Sequence, residues 1–337
     1  SDMVYKLIKE EVPLENLSRF LDDLVEYSSA YAIIASKNDD TDIEYFDIKR
    51  NYQVRSLLAA IEVLYKREMI TEDDCKTCFH NLRNFFFLFH SCSYTSNKTD
   101  KAIANAAFDV YHTKSEMDFK YVISDVFREL SKFISSSTVD ELMFTTSSMH
   151  YSLKNSAYKS NHRIVKYILY CLYMPDQRDT VLDQSRLTIE HLLNDDGSVR
   201  NSSIYNLTLT SGEINSNELK NRGLVEKIGI LKSQSSVIAN QKLDEYLDAQ
   251  GEYLEDKRKN DLKEQAISNV FKYEGSPFGY TKEMVDGYLK MKRALQSDEE
   301  LLAVLLERGM NIQAYLSNNP AMQDAYNRFL TLCGTTS

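Results

Sequence analysis

Four polar residues stand in an order that could support metal-assisted hydrolysis. Glu190 and His191 are adjacent, Asn206 lies fifteen residues beyond His191, and Asn215 lies nine beyond Asn206. A histidine, with an ordinary pKa of about 6.5, can take a proton from water near neutral pH. A glutamate and an asparagine offer hard oxygen donors of the kind Mg2+ or Mn2+ prefers. A carboxamide between them carries both donors and an acceptor, enough to brace a loop. Each residue also has a plain reading when taken singly. Glu190-His191 could be a surface pair, Asn206 a turn residue and Asn215 a helix N-cap.

The order carries more than the residues do, because of the elements that must position them. Arg186 to Leu193 reads as a strand, Asn194 to Ser203 as a polar loop, and Ile204 to Thr210 as a second strand rich in β-formers, closed by Ser211-Gly212. From Asn215 to about Lys232 the pattern turns helical, with Leu219, Leu224 and Ile228 facing inward. Strand, loop, strand, helix is the order that a ββα-metal (HNH-type) site requires. Alternation along a strand places Glu190 and His191 on opposite faces, so they converge on one ion only if the strand end bends.

The likeness extends to particular runs. Thr188-Ile-Glu-His-Leu192 resembles the Ile-Glu-His-Ile strand of the GmrSD-like restriction endonucleases, and Tyr205-Asn-Leu-Thr-Leu209 their Gly-Asn-Leu-Thr-Leu strand. Ile214-Asn-Ser216, Leu219-Lys-Asn221 and Glu226-Lys227 resemble that family's Asn-containing helix start and the Glu-Lys pair after it. Upstream, Leu82-Arg-Asn-Phe-Phe-Phe87 and Thr95-Ser-Asn-Lys98 are similar to the helical segment preceding the nuclease. The likeness spans roughly residues 14 to 275 and is specific over 187 to 227. The family's Pro-Gln three residues after the histidine is Asn194-Asp195 here, and its glycine before the strand asparagine is Tyr205. Its ParB-like half, with an Asp-Gly-Gln-Gln-Arg signature, does not occur in this sequence.

The resemblance implies an HNH-type, divalent-metal-dependent endonuclease that hydrolyses DNA, in restriction or phage defence against foreign or modified DNA. It implies His191 as general base, Asn206 as the brace of its loop, and Glu190 and Asn215 as ligands of Mg2+ or Mn2+. Lys220 and Lys227 are read either as phosphate contacts or as a solvated helix face. A nucleotide-dependent ParB-like domain or subunit is an expected partner. The competing reading, favoured by the acidic charge and the missing Pro-Gln, is a non-catalytic helical adaptor whose degenerate HNH-like module binds protein or DNA.

The rest of the chain reads as a frame for this module. The first of the ten glycines is Gly197, and only Pro13 and Pro175 interrupt the preceding stretch. So long a run without turn glycines predicts helices joined by polar loops. Leu14, Leu17, Phe20, Leu21 and Leu24, placed after Pro13, recur at helical steps; so do Val54 to Leu64 and Phe119 to Leu130. Loops are expected at Ser36 to Ile43, Ser93 to Asp100, Thr145 to Asn161 and Pro175 to Asp179. A charged helix is expected over Asp244 to Asn269, a break at Gly275 to Gly279, and two or three helices over 280–330. The expected class is mainly α with a small α+β module: a helical domain over 1–180, the nuclease domain over 181–275 and a helical extension over 276–337.

A rival metal signal, Cys75-x-x-Cys78-x-His80 with His90 and Cys92 beyond, sits in strongly helical sequence without turn residues. Packed thiols are the expected reading, and His112, His150 and His162 show no partner pattern. Fifty acidic against forty basic residues, a formal charge of −10, argues against a protein that coats DNA, although a locally basic face or a metal could still engage phosphate. Five cysteines, an odd number, without a secretory pattern fit a reducing cytoplasm. The greasiest runs, Phe85 to Phe89 and Ile164 to Met174, are too short to span a membrane. Ser1-Asp-Met3 reads as a tag scar.

Overall fold

A computed structural model describes residues 12–37, 40–92, 94–177, 182–220 and 222–294. It is mainly helical with one small antiparallel hairpin. Among the described residues eight α-helices precede the hairpin: α1 Leu17–Ser36, α2 Thr41–Ile48, α3 Val54–Lys66, α4 Glu72–Ser91, α5 Asp100–Tyr111, α6 Glu116–Ser131, α7 Ser136–Leu142 and α8 His162–Tyr173. The hairpin pairs β1 Leu187–His191 with β2 Leu207–Ser211 across a loop holding the short helix α9 Val199–Ser202. After β2 come α10 Gly212–Ile214, a wide turn Asn215–Leu219, α11 Leu224–Gln234, α12 Glu255–Gln265 and α13 Lys282–Ala294.

Side-chain caps start several helices. Asp40 accepts from the amides of Asp42 and Ile43 at α2, and Thr71 and Asp74 form a reciprocal capping box at α4. Three acids in the first turn of α4 suit the helix dipole. Without glycines to close them, the turns after α2 and α3 place Arg50 and Glu68 in the left-handed region, at φ 53° and 56°. Such a conformation costs an L-residue roughly 1–2 kcal/mol, which packing must offset.

That packing centres on α4. Phe85, Phe86, Phe87 and Phe89 are all buried, so the turn from Phe85 to Phe89 is apolar on every side and lies inside the molecule. Burying each such ring contributes about 1.5–3 kcal/mol. The polar groups of α4 bond to chain that follows the hairpin module. Asn81 exchanges hydrogen bonds with the backbone of Glu274 (2.8 and 2.9 Å), Asn84 donates to the Lys272 carbonyl (2.7 Å) and Arg83 to that of Val270 (2.7 Å). Phe87 stacks on Phe271 at 3.7 Å between ring centres. One apolar core therefore runs from α2 through α8 into Leu187, Ile189, Leu207 and Leu209 of the hairpin and on to Phe271. A smaller core of Leu192, Leu219, Ile228, Leu231 and Leu243 seats α11.

Several boundaries differ from the sequence reading. The loop expected at 36–43 is shortened because the Asp40 cap starts α2 at Thr41. The second strand begins at Leu207 rather than Ile204, since Ile204–Asn206 forms a 3-10 turn. The helix expected from Asn215 is split by the wide turn, and that expected over 244–269 covers only α12 and a following turn, Ala266–Val270. Of the helices expected over 280–330, α13 is described and residues 295–330 lie outside the described residues, as do Ser1 to Met3. No helix among the described residues is long and apolar enough to cross a membrane.

Candidate active site

His191 ends β1, and its surroundings set its tautomer. Nε2 lies 3.0 Å from the Tyr151 carbonyl oxygen, and the ring stacks beside that of Tyr151. A carbonyl only accepts, so the neutral imidazole carries its proton on Nε2 and presents Nδ1 as a bare acceptor. Burial lowers the His191 pKa below the ordinary value, and the Tyr151 carbonyl and the carboxylates of Asp195 and Glu190 only partly oppose it. The base form therefore persists below the pH at which a free histidine would protonate. If His191 is the base, the acidic limb of a pH–rate profile at saturating metal is expected to fall below pH ~6.5. A limb at or above that value would contradict the assignment. The same lowered pKa means that the unfolded chain binds more protons. This contribution to stability is present above the unfolded pKa and is lost as pH falls through the folded one.

Glu190, one residue earlier, leaves the opposite face. The register Glu190↔Thr208 and His191↔Leu207 runs to the strand end, and Leu192 continues it by donating to the Asn206 carbonyl. The bend that would bring the two side chains together is not formed. Glu190 instead meets Lys227 of α11: Lys227 Nζ donates to Glu190 Oε1 at 2.5 Å and to the His191 carbonyl at 2.7 Å. Lys227 is 3% exposed. Neither a solvated helix face nor a ready phosphate contact describes it, because its ammonium is held by Glu190 and the His191 carbonyl and its aliphatic stem is enclosed. Lys220 is exposed at the end of the wide turn.

Asn215 is not a helix N-cap. Ser211 caps α10, and Asn215 is already in helical conformation. Its Nδ2 donates to Thr188 Oγ1 (3.1 Å) and the Ile189 carbonyl (3.0 Å). The amide is thereby pinned to β1 on the side of Thr188 and Glu190.

Asn206 is almost wholly buried and closes the loop after His191. Its Oδ1 accepts from the Leu193 amide (2.8 Å), while Nδ2 donates to the carbonyls of Leu193 (2.9 Å) and Asn201 (2.7 Å). All the hydrogen-bonding groups of a carboxamide serve here as a loop brace. Asp195, where the resembling family has glutamine, ties that loop to residues 152–154. It accepts from Ser152 Oγ (2.6 Å) and from the amides of Leu153 (2.9 Å) and Gly197 (3.0 Å). Burial would raise its carboxyl, but the Ser152 hydroxyl, these amides and His191 hold it below the ordinary range. Gly197, at φ +81°, lets the loop turn back against Lys154. Where the family has glycine, Tyr205 sits against the main core, and Tyr253 donates to its carbonyl.

Two contributors were invisible to sequence reasoning. Tyr151 acts through its backbone carbonyl, for which no side-chain identity is needed, and Asp195 acts across more than forty residues. The Tyr151 amide bonds the Ser202 carbonyl and His150 bridges Ser203, so this segment lies along the hairpin loop. His150 is thus structural, and His162 packs edge-on to Tyr151.

The donor set can be tested against a divalent ion. Lys227 engages one Glu190 oxygen and Asn215 spends its amino group on β1, leaving Glu190 Oε2 and Asn215 Oδ1 as hard donors on one face. Two protein oxygens suit Mg2+ or Mn2+, which retain several waters. Among the described residues no group of three or more His, Cys, Asp or Glu is placed to hold a metal. Cys75 and Cys78 lie buried in α4, and burial pushes the Cys75 thiol up to about 12 and Cys78 well above the ordinary range. Comparison of the chain with protein families, with curated proteins and with solved structures finds no match.

Proposed function

We propose that this protein is a divalent-metal-dependent endonuclease that hydrolyses phosphodiester bonds in DNA, with a ββα-type site at the end of β1. The observation that carries the reading is His191: a buried neutral imidazole whose Nε2 is fixed on a backbone carbonyl, leaving Nδ1 as proton acceptor. In an in-line displacement the attacking and leaving oxygens lie on opposite sides of phosphorus. Glu190 and His191 leave opposite faces of β1, so the base and the metal ligands would meet at one phosphate only once the strand end bends. His191 would take the proton from water. Asn206 would keep the turn after His191 rigid, and Asn215 and Glu190 would hold Mg2+ or Mn2+. A bound ion would supply charge stabilisation for the departing oxygen. Foreign or modified DNA, and a nucleotide-dependent ParB-like partner, belong to the same proposal.

The Glu190–Lys227 contact also favours a second reading, a helical adaptor in which this ion pair has closed a degenerate site. A metal titration of plasmid nicking separates the two. The nuclease reading expects nicking that needs added Mg2+ or Mn2+ and stops with chelator. Glu190→Ala and Asn215→Ala should each raise the metal concentration required. No nicking under any metal condition would leave the adaptor, and unchanged metal dependence in both variants would move the ion elsewhere.

A further inference from the structure

Lys227 is the least expected feature of the site. A lysine is rarely fully buried unless paired, and this one is 3% exposed with its ammonium on Glu190 and on the carbonyl of His191. Its stem descends from α11, whose apolar face of Ile228 and Leu231 is fixed in the smaller core. The ammonium is therefore delivered to the junction of the two residues on which the proposed chemistry depends. Other pairs nearby are of a different kind. Arg222–Glu226 and Lys232–Asp244 involve side chains roughly 40–50% exposed and are free to rearrange in water.

We propose that Lys227 is a resident cation that competes with the divalent metal for Glu190. The inference rests on the nuclease reading above. A buried carboxylate needs a positive partner, and breaking such a pair by removing one member is strongly destabilising. In the metal-free protein that partner is Lys227. A divalent cation approaching Oε2 would meet the repulsion of an ammonium already hydrogen-bonded to Oε1 of the same carboxylate. Glu190 thus holds either charge alone more tightly than both together. Lys227 keeps the site assembled without metal and at the same time weakens metal affinity. A purely structural ion pair, serving only to clamp α11 to β1, would have the first property and lack the second.

The two roles separate in a variant that keeps the stem and removes the charge. Lys227→Met should lose thermal stability in the absence of metal and regain it on adding Mn2+, because the ion supplies the missing positive charge beside Glu190. Its Mn2+ dissociation constant, measured by calorimetric titration of the full chain, should be at least about tenfold lower than that of wild type. The double variant Glu190→Gln, Lys227→Met has no buried charge to satisfy and should show neither the stability loss nor the Mn2+ response. Should Lys227→Met not fold without metal, refolding with and without Mn2+ gives the same readout: recovery only with Mn2+ supports the proposal, and no recovery overturns it. An unchanged or weaker Mn2+ affinity in a folded Lys227→Met overturns the competition while wild-type nicking leaves the nuclease reading intact. If neither wild type nor any variant binds Mn2+ or nicks DNA, the nuclease reading falls and the inference with it.

Discussion

His191→Ala is expected to reduce plasmid nicking by roughly 10²–10⁴-fold, the usual cost of losing a general base, and no excess of Mg2+ or Mn2+ should restore it. The loss should be catalytic rather than structural. The imidazole makes one hydrogen bond, to the Tyr151 carbonyl, and the hairpin register and the Asn206 brace do not pass through the ring. Thermal unfolding of the variant should therefore remain cooperative. The contrast with the ligand positions is the informative part. Glu190→Ala and Asn215→Ala remove oxygen donors, so their defects should shrink as metal is raised, whereas the base cannot be replaced by an ion. Wild-type nicking by His191→Ala, under conditions where the wild type turns over, would remove His191 from the mechanism and with it the main support for the proposed function.

Phe87→Ala is expected to cost about 3–5 kcal/mol of folding stability, within the range for deleting a buried aromatic ring. Phe87 is fully buried and lies face to face with Phe271, 3.7 Å between ring centres. Phe271 belongs to the segment that returns from the hairpin module onto α4, beside the Arg83, Asn84 and Asn81 bonds to Val270, Lys272 and Glu274. The ring thus fills the core of the helical frame and also locks the two parts of the chain together. Chemical denaturation should show one transition moved to lower denaturant, reported alike by signals from the helical frame and from the hairpin. A loss under about 1 kcal/mol would mean that the site collapses around the missing ring, and two separated transitions would mean that the frame and the module unfold independently.

Much of the architecture is local and was legible as sequence. The helical steps of Val54 to Leu64 and Phe119 to Leu130 correspond to α3 and α6, and the two runs around Ile189 and Leu209 pair as an antiparallel hairpin. Periodicity and β-propensity act over a few residues, so these elements can be read without knowing what covers them. Asn206, expected as a loop brace from the family resemblance and not from local pattern, bonds Asn201 and Leu193, both within thirteen residues. The opposite faces of Glu190 and His191 also followed from strand alternation alone. What each of those side chains meets did not. The partner of a buried charge or ring is chosen by packing between distant segments: Lys227 reaches Glu190 across thirty-seven residues, and the Tyr151 carbonyl reaches His191 across forty. A lysine on a helix looks solvated in sequence because its charge is visible and the apolar enclosure of its stem is not. A backbone carbonyl leaves no mark in the sequence at all, because every residue has one. Residue order and local pattern therefore placed the candidate groups on their elements, while the tertiary structure decided which nitrogen of His191 is bare and which cation Glu190 already holds.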